Sequence, residues 1–265
     1  MSYPKDVFGA AMDEMARRRD KARRIAAAHR DEIAHELPEA DKLQRQLGST
    51  SAKLAQAVLN GGEGIEGIRV ANERAQELYR LQLKKAGYDT DYTQVKYSCP
   101  HCDDTGFVDG RTCTCLKKLL GELMMRRLGV EKSLEECSFD NFSLDFYPAQ
   151  SENGGSSPAG VMRSNYMRCR EWAENFSGSS PNLLFAGATG LGKTHLSMAI
   201  ARTVIDRGYD VFYYPYGTLL TQLEAERFSR GGDYAGGIAP LLSCELLILD
   251  DLGSEFTSPF GQSLL

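Results

Sequence analysis

Residues 187–194 read GATGLGKT, a stretch with three glycines within six residues, followed by a lysine and a threonine. Apolar residues 183–186 precede it, and a helix-forming stretch opens at Lys193. Glycines allow successive backbone N–H groups to curl around an anion, and the following helix N-terminus adds partial positive charge. The pattern therefore predicts a strand, a phosphate-binding loop and a helix, in that order.

The residue types in this loop predict a role for each side chain. Lys193 would neutralise the β- and γ-phosphates of a nucleoside triphosphate, and the Thr194 hydroxyl would ligate Mg²⁺. The residues expected to bind the nucleotide are those of the loop and one distant carboxylate: Gly187, Ala188, Thr189, Gly190, Leu191, Gly192, Lys193, Thr194 and Asp250.

The distant carboxylate belongs to the stretch LLILDD at residues 246–251. Its continuous apolar run is typical of a parallel strand that is buried on both faces. A triphosphate site needs a Mg²⁺ carboxylate at the end of a neighbouring strand and a group that orients the attacking water. Asp250 is therefore predicted to hold Mg²⁺, mostly through bridging water. Asp251 is predicted to polarise the attacking water. Asp251 and Lys193 are the expected catalytic residues.

The surrounding sequence predicts an α/β fold. From residue 181 onward the apolar runs NLLFAG, DVFYYPY and CELLILDD alternate with the helical stretches KTHLSMAIARTVIDRG and GTLLTQLEAERFSR. Strands that alternate with helices indicate βαβ units and a parallel sheet. Residues 5–86 are rich in good helix formers, with a break at Pro38 and a turn at NGGEG, residues 60–64. The fold class is thus a P-loop parallel sheet preceded by an α-helical N-terminal region.

A cysteine-rich segment, YSCPHCDDTGFVDGRTCTC, separates these two regions. Cys99 and Cys102 form one pair and Cys113 and Cys115 a second, a spacing at which four thiolates can surround a tetrahedral Zn²⁺. The turn sequences DDTG and VDGR between the pairs predict a hairpin capped by a structural zinc ion, which would supply folding energy. His101 is an alternative ligand. A redox pair is the competing interpretation, disfavoured because a thioredoxin-like βαβ pattern is absent here.

Composition limits the partners and the compartment. The net charge of −5 gives no overall nucleic-acid signal. No apolar run is long enough for a membrane span, and the N-terminus has no apolar signal-peptide core, so a cytoplasmic protein without a membrane partner is expected. Acidic residues inside the cysteine segment favour a structural or protein-docking role for it over DNA contact. The scattered Cys137, Cys169 and Cys244 are expected to be small buried apolar residues.

Several motifs together resemble the bacterial and phage replicative-helicase loaders of the DnaC/DnaI type, AAA+ ATPases related to the IstB-like transposition helpers. They are the helical N-terminus, the cysteine spacing, SFDNFSLDFYP at 138–148, PNLLFAGATGLGKTHLSMAIA at 181–201 and LLILDDLG at 246–253. The resemblance implies a helical helicase-docking region at 1–96, a zinc knuckle plus helix at 97–130, a linker at 131–160 and a partial AAA+ ATPase domain at 161–265.

The resemblance also implies partners and an activity. The protein would bind ATP, Mg²⁺, the replicative DNA helicase hexamer and single-stranded DNA during replication initiation, and would self-associate through its ATPase domain. Asp251 stands where many AAA+ proteins carry glutamate, so slow hydrolysis is expected. The sensor strand, arginine finger and helical lid of AAA+ proteins have no room after Asp251. A C-terminal truncation is therefore expected, with ATP hydrolysis by the longer protein.

Two alternatives remain open from the sequence. One is an IstB-like ATPase that assists a DNA transposase. The other is a zinc-stapled adaptor that binds a nucleotide without hydrolysing it. Co-purification with a helicase or with a transposase separates the first alternative from a loader, and ATP turnover separates both from the adaptor.

Overall fold

The computed structural model describes residues 3–59, 64–150, 155–228 and 241–253. Its elements, in chain order, are α1 (Lys5–Glu36), α2 (Pro38–Gly48), α3 (Thr50–Leu59), α4 (Ile65–Lys85), β1 (Phe107–Val108), β2 (Arg111–Thr112), α5 (Thr114–Arg127), α6 (Glu131–Glu136), α7 (Pro158–Glu174), α8 (Lys193–Asp206), β3 (Val211–Pro215), α9 (Tyr216–Phe228) and β4 (Leu246–Asp250). Among the described residues, no helix combines the length and the apolar character needed to cross a membrane.

The chain divides into two compact units, and one of them consists of residues 16–105. In this unit α2 begins at Pro38, as predicted, and packs against α4. Its core contains Ile33, Tyr79 and Leu83, which are buried together. Tyr79 also hydrogen-bonds Thr93 over 2.9 Å, so the loop after α4 is fixed to that helix. Residues 60–63 of the predicted turn lie outside the described residues.

The second unit contains residues up to 15 and those from 106 onward, including the phosphate loop. Its core is formed mainly by α7, α8 and β3, and Met125 of α5 joins it. Strands β3 and β4 pair in parallel, with Val211 opposite Leu246 and Pro215 opposite Asp250. A helix connects them along the chain, as a parallel pair requires. The mixed helical and parallel-strand architecture fits the α/β P-loop fold that the sequence predicted.

One predicted strand is absent from the described residues. The apolar run NLLFAG before the phosphate loop has no regular secondary structure, and it pairs with neither β3 nor β4 in the described sheets. Leu183 and Leu184 are 42% and 84% exposed. A strand forms by backbone pairing with a neighbour, and β3 and β4 make the described pairing with each other. The prediction of a strand here was therefore wrong for the described structure, although the loop and the helix that follow are present.

Candidate nucleotide and zinc sites

The phosphate loop has the backbone shape that its glycines allow. Gly190 and Gly192 adopt left-handed conformations, with φ of 80° and 76°, and Gly192 directly precedes the first residue of α8. The Lys193 ammonium donates hydrogen bonds to the carbonyl oxygens of Gly187 and Ala188, over 3.0 and 2.9 Å. The cation is therefore held against the loop that precedes it, and the N-terminus of α8 opens at the same point.

The predicted Mg²⁺ residues lie together. The Thr194 hydroxyl donates a hydrogen bond to Asp250 Oδ2 over 2.9 Å. Thr194 lies in the first turn of α8 and Asp250 is the last residue of β4. A hydroxyl and a carboxylate are oxygen ligands of the kind that Mg²⁺ prefers, so this pair fits the ion's chemistry.

A third member of this group, Tyr213, was not predicted from the sequence. Its hydroxyl, on β3, donates a short hydrogen bond to the same Oδ2 atom of Asp250. Burial raises the pKa of the Tyr213 hydroxyl well above its ordinary value, and the bond to Asp250 raises it further. The hydroxyl therefore stays protonated at neutral pH and can only donate to the carboxylate. Tyrosine within an apolar strand is common, so the sequence alone carried little signal for this contact.

Asp251 follows β4 in a left-handed conformation, with φ of 57°. Its backbone N–H donates to Asp250 Oδ1 over 3.0 Å. Asp251 is exposed, so its carboxylate has access to solvent. Its role as the residue that polarises water stays a prediction.

An aromatic segment packs on the phosphate loop. Residues 138–147 belong to the segment 131–160, which is predicted from the sequence as a linker. The Tyr147 hydroxyl donates to the Leu191 carbonyl over 3.3 Å. A Cβ atom added at Gly192 would come within 2.9 Å of the Tyr147 hydroxyl oxygen and 3.0 Å of Phe142 Cε2. Gly192 is therefore needed for close packing as well as for its backbone angle.

The same segment contacts the first turn of α8. His195 Nε2 lies 2.9 Å from the Ser138 carbonyl oxygen, and its ring meets Phe142 edge to face at 5.1 Å. Phe142 also stacks on Tyr166 of α7. These contacts occupy the His195 side chain, which packs against the aromatic segment.

The four predicted zinc ligands form one cluster. The sulfur atoms of Cys99, Cys102, Cys113 and Cys115 all lie within 4.8 Å of one another. Strands β1 and β2 form the predicted antiparallel hairpin between the two pairs. Four thiols at this separation fit a tetrahedral Zn²⁺ site, and no other group of at least three His, Cys, Asp or Glu in the described chain has comparable geometry.

A buried carboxylate orders the first cysteine of this cluster. Asp104 is 1% exposed, and its two carboxylate oxygens accept hydrogen bonds from the backbone N–H groups of Ser98 and Cys99, both over 2.9 Å. In the sequence, Asp104 is one of the acidic residues of the cysteine segment that argue against DNA contact. In the structure Asp104 has a second role, because its hydrogen bonds fix the backbone of Cys99, a predicted zinc ligand.

The remaining cysteines lie outside the cluster. Cys169 is buried, and Cys137 and Cys244 are half-buried. Burial raises the pKa of each of these three thiols, that of Cys244 to about 11. All three therefore stay protonated at neutral pH. Cys169 is the small buried residue that was expected, whereas Cys137 and Cys244 are only partly buried.

Several known proteins are similar to this chain. The family of IstB-like ATP binding proteins matches residues 170–264. The replicative helicase loader DnaC of Escherichia coli (strain K12) is 22% identical over 139 residues, which make up 52% of this chain and 51% of the relative. DnaC of Buchnera aphidicola subsp. Acyrthosiphon pisum is 23% identical over 151 residues, or 56% of each chain. An uncharacterised E. coli (strain K12) protein, YdaV, is 25% identical over 139 residues, which make up 52% of this chain and 50% of the relative.

The chain spans about half the length of the curated relatives that it matches. No solved structure gives a significant match. The family match covers the phosphate loop and the strand that carries Asp250. The resemblance predicted from the motifs is therefore confirmed: residues 170–264 match the IstB-like ATP binding proteins, and about half of the chain is similar to the DnaC helicase loaders.

Proposed function

We propose that this chain binds ATP and Mg²⁺ as part of a replicative-helicase loader. The observation that carries the proposal is the hydrogen bond from Thr194 to Asp250, since it joins the phosphate loop to the carboxylate of β4. A glycine-rich turn that matched the phosphate-loop pattern by chance would not be expected to place its hydroxyl beside a carboxylate that is distant in the sequence. The relatives named as helicase loaders supply the rest of the proposal.

Each site residue has a part in binding. The loop backbone from Gly187 to Thr194 surrounds the phosphates, and Lys193 turns from its own carbonyl partners to the β- and γ-phosphates. Thr194 and Asp250 hold Mg²⁺, which neutralises charge on the phosphates when bound. Asp251 orients the attacking water during hydrolysis. Its side chain is one methylene shorter than glutamate, so turnover is slow.

The regions outside the ATP site have proposed parts of their own. Residues 1–96 dock on the helicase hexamer, and Cys99, Cys102, Cys113 and Cys115 hold a structural zinc ion in the segment 97–130. The segment 131–160 connects them to the ATPase domain at 161–265. The ATPase domain contacts single-stranded DNA and self-associates, and ATP controls release of the helicase.

The partner is the decisive test between the loader and the transposition helper. The match to IstB-like proteins is the observation that supports the transposition helper as a second candidate. The tagged chain is incubated with the purified replicative helicase of its host and, separately, with a transposase encoded near its gene. Elution as a complex with the helicase hexamer supports the loader. A complex with the transposase alone replaces it with the transposition helper.

Single-stranded DNA is tested separately, because a helicase complex does not require it. Binding of a fluorescent oligonucleotide is measured by anisotropy with ATP, with ADP and without nucleotide, and a duplex of the same sequence is the control. Preferential binding of the single strand with ATP is expected. Equal affinity for the duplex under all three conditions would remove single-stranded DNA from the proposal.

A further inference from the structure

We propose that Tyr213 is a positioning residue for the Mg²⁺ carboxylate of Asp250. The inference rests on the proposed function, since it concerns the same nucleotide site. Tyr213 lies outside both the phosphate loop and the LLILDD stretch, and no motif points to it. What identifies it is its hydroxyl, which donates to Asp250 Oδ2.

The Asp250 carboxylate is held by donors from three different parts of the fold. The hydroxyls of Thr194 and Tyr213 both donate to Oδ2, and the backbone N–H of Asp251 donates to Oδ1. The first donor lies on α8, the second on β3 and the third in the turn that follows β4. Three donors in different directions leave the carboxylate little freedom to rotate.

The Tyr213 donor differs from the other two because it neither is a predicted Mg²⁺ ligand nor lies next to a predicted catalytic residue. Thr194 is the expected Mg²⁺ ligand, so its hydroxyl oxygen would also coordinate the ion when the nucleotide is bound. The Asp251 N–H lies next to the residue proposed to orient water. Tyr213 is neither in the loop nor beside that water, so its hydroxyl can keep donating to Asp250 in every nucleotide state.

The burial of Tyr213 favours the hydrogen bond between its hydroxyl and Asp250. Tyr213 is 3% exposed and its ring belongs to the core that α8 and β3 share. A buried hydroxyl without a partner costs free energy, so the core favours the conformation in which the hydroxyl reaches Asp250. The pairing register supports this reach, because Tyr213 lies opposite Ile248, two residues before Asp250 on β4. The core thus orients the Mg²⁺ carboxylate through one side chain.

Outer hydrogen bonds to metal-binding groups commonly change metal affinity by about 10- to 100-fold. Since Asp250 is expected to act on Mg²⁺ mostly through water, we expect an effect at the lower end, about tenfold. The variant Tyr213→Phe keeps the buried ring and removes only the hydroxyl. We expect it to raise the Mg²⁺ concentration needed for half-maximal ATP binding by about tenfold, while ATP binding in excess chelator stays unchanged.

The experiment titrates Mg²⁺ into the full chain with a fluorescent ATP analogue, for the wild type, Tyr213→Phe and the matched control Tyr214→Phe. Tyr214 is the next residue of β3, and its ring stacks with Phe212, so it points to the opposite face. Tyr214→Phe also removes one hydroxyl from this strand. Thermal unfolding of all three proteins separates loss of positioning from loss of folding.

The possible outcomes are distinct. A Mg²⁺ requirement that rises in Tyr213→Phe and stays at the wild-type value in Tyr214→Phe supports the inference. An unchanged or lower Mg²⁺ requirement in Tyr213→Phe overturns it and leaves the proposed function intact. The same rise in both variants also overturns it, because the effect would then belong to the strand. A wild-type chain that binds the analogue equally well with and without Mg²⁺ overturns the inference and the proposed Mg²⁺ site together.

Discussion

The Thr194 hydroxyl lies 2.9 Å from Asp250 Oδ2, although 56 positions separate the two residues in the sequence. Helix α8 and strand β4 bring them together, and the core between α8 and β3 holds those elements in place. The phosphate loop and the carboxylate strand thus lie side by side, as a single nucleotide site would require. The variants below test that site and the cysteine cluster.

Removal of the Thr194 hydroxyl should abolish the contribution of Mg²⁺ to nucleotide binding. Thr194→Val keeps the shape of the side chain and loses both the donor to Asp250 and the predicted Mg²⁺ ligand. Hydrogen bonds to charged groups contribute about 1.5–3 kcal/mol, so affinity for Mg²⁺-ATP should fall by about tenfold or more. Isothermal titration calorimetry measures the affinity of each variant for Mg²⁺-ATP. Thr194→Ser keeps the hydroxyl and should stay within about threefold of the wild type; a large loss in this variant would contradict the assigned role.

Gly192→Ala should damage the phosphate loop more than Gly190→Ala does. Both glycines have positive φ, so each substitution strains the backbone by about 1–3 kcal/mol. Only at Gly192 would the new Cβ also meet Tyr147 and Phe142, while nothing lies within 4 Å of a Cβ at Gly190. Urea denaturation should therefore show a larger loss of stability for Gly192→Ala. Equal losses would mean that the aromatic segment does not pack on the loop as described.

The cysteine cluster should bind one zinc ion per chain. Cys102→Ser removes a buried member of the cluster, whereas Cys137→Ser changes a half-buried thiol outside it. We expect metal analysis to find one zinc in the wild type and in Cys137→Ser, and a much reduced content in Cys102→Ser. A strong chelator should also lower the melting temperature of the wild type, because bound metal contributes folding free energy. Full zinc content in Cys102→Ser would count against the four-thiolate site.

Asp104→Asn should weaken zinc binding through the backbone of Cys99. The amide can accept only through its oxygen, so one of the two N–H groups that Asp104 now satisfies would lose its acceptor. Outer-shell changes of this kind cost about tenfold or more in metal affinity, which competition with a chromophoric chelator can measure. Asp103→Asn is the matched control, since Asp103 is exposed and has a similar positive φ. A control variant that weakens zinc binding equally would show that the effect is general to the turn.

Much of the site could be predicted because its chemistry depends on local spacing. GATGLGKT specifies a loop and a helix start, and the cysteine pairs and turn residues specify a hairpin within 17 residues, from Cys99 to Cys115. In the described structure the loop, the start of α8, the hairpin and the end of β4 at Asp250 all lie where the sequence placed them. These features need few contacts from distant parts of the chain.

The contacts that were missed depend on tertiary packing. Tyr213 meets Asp250 only because β3 and β4 pair in one particular register. Phe142 and Tyr147 come from a segment without any regular period, so nothing in the sequence indicated that they pack against Gly192. The prediction of a strand at NLLFAG was wrong for the same reason, because strand formation also depends on tertiary contacts. Its apolar residues suit a strand, but a strand also requires a neighbour to pair with.

The central claim is that the phosphate loop and Asp250 form one Mg²⁺-nucleotide site. The most direct measurement is the affinity of the full chain for ATP, with Mg²⁺ and with excess chelator, for the wild type and Asp250→Asn. The account predicts that Mg²⁺ strengthens ATP binding to the wild type, and that Asp250→Asn loses this gain while keeping the affinity measured in chelator. Mg²⁺-dependent binding that is unchanged in Asp250→Asn would contradict it.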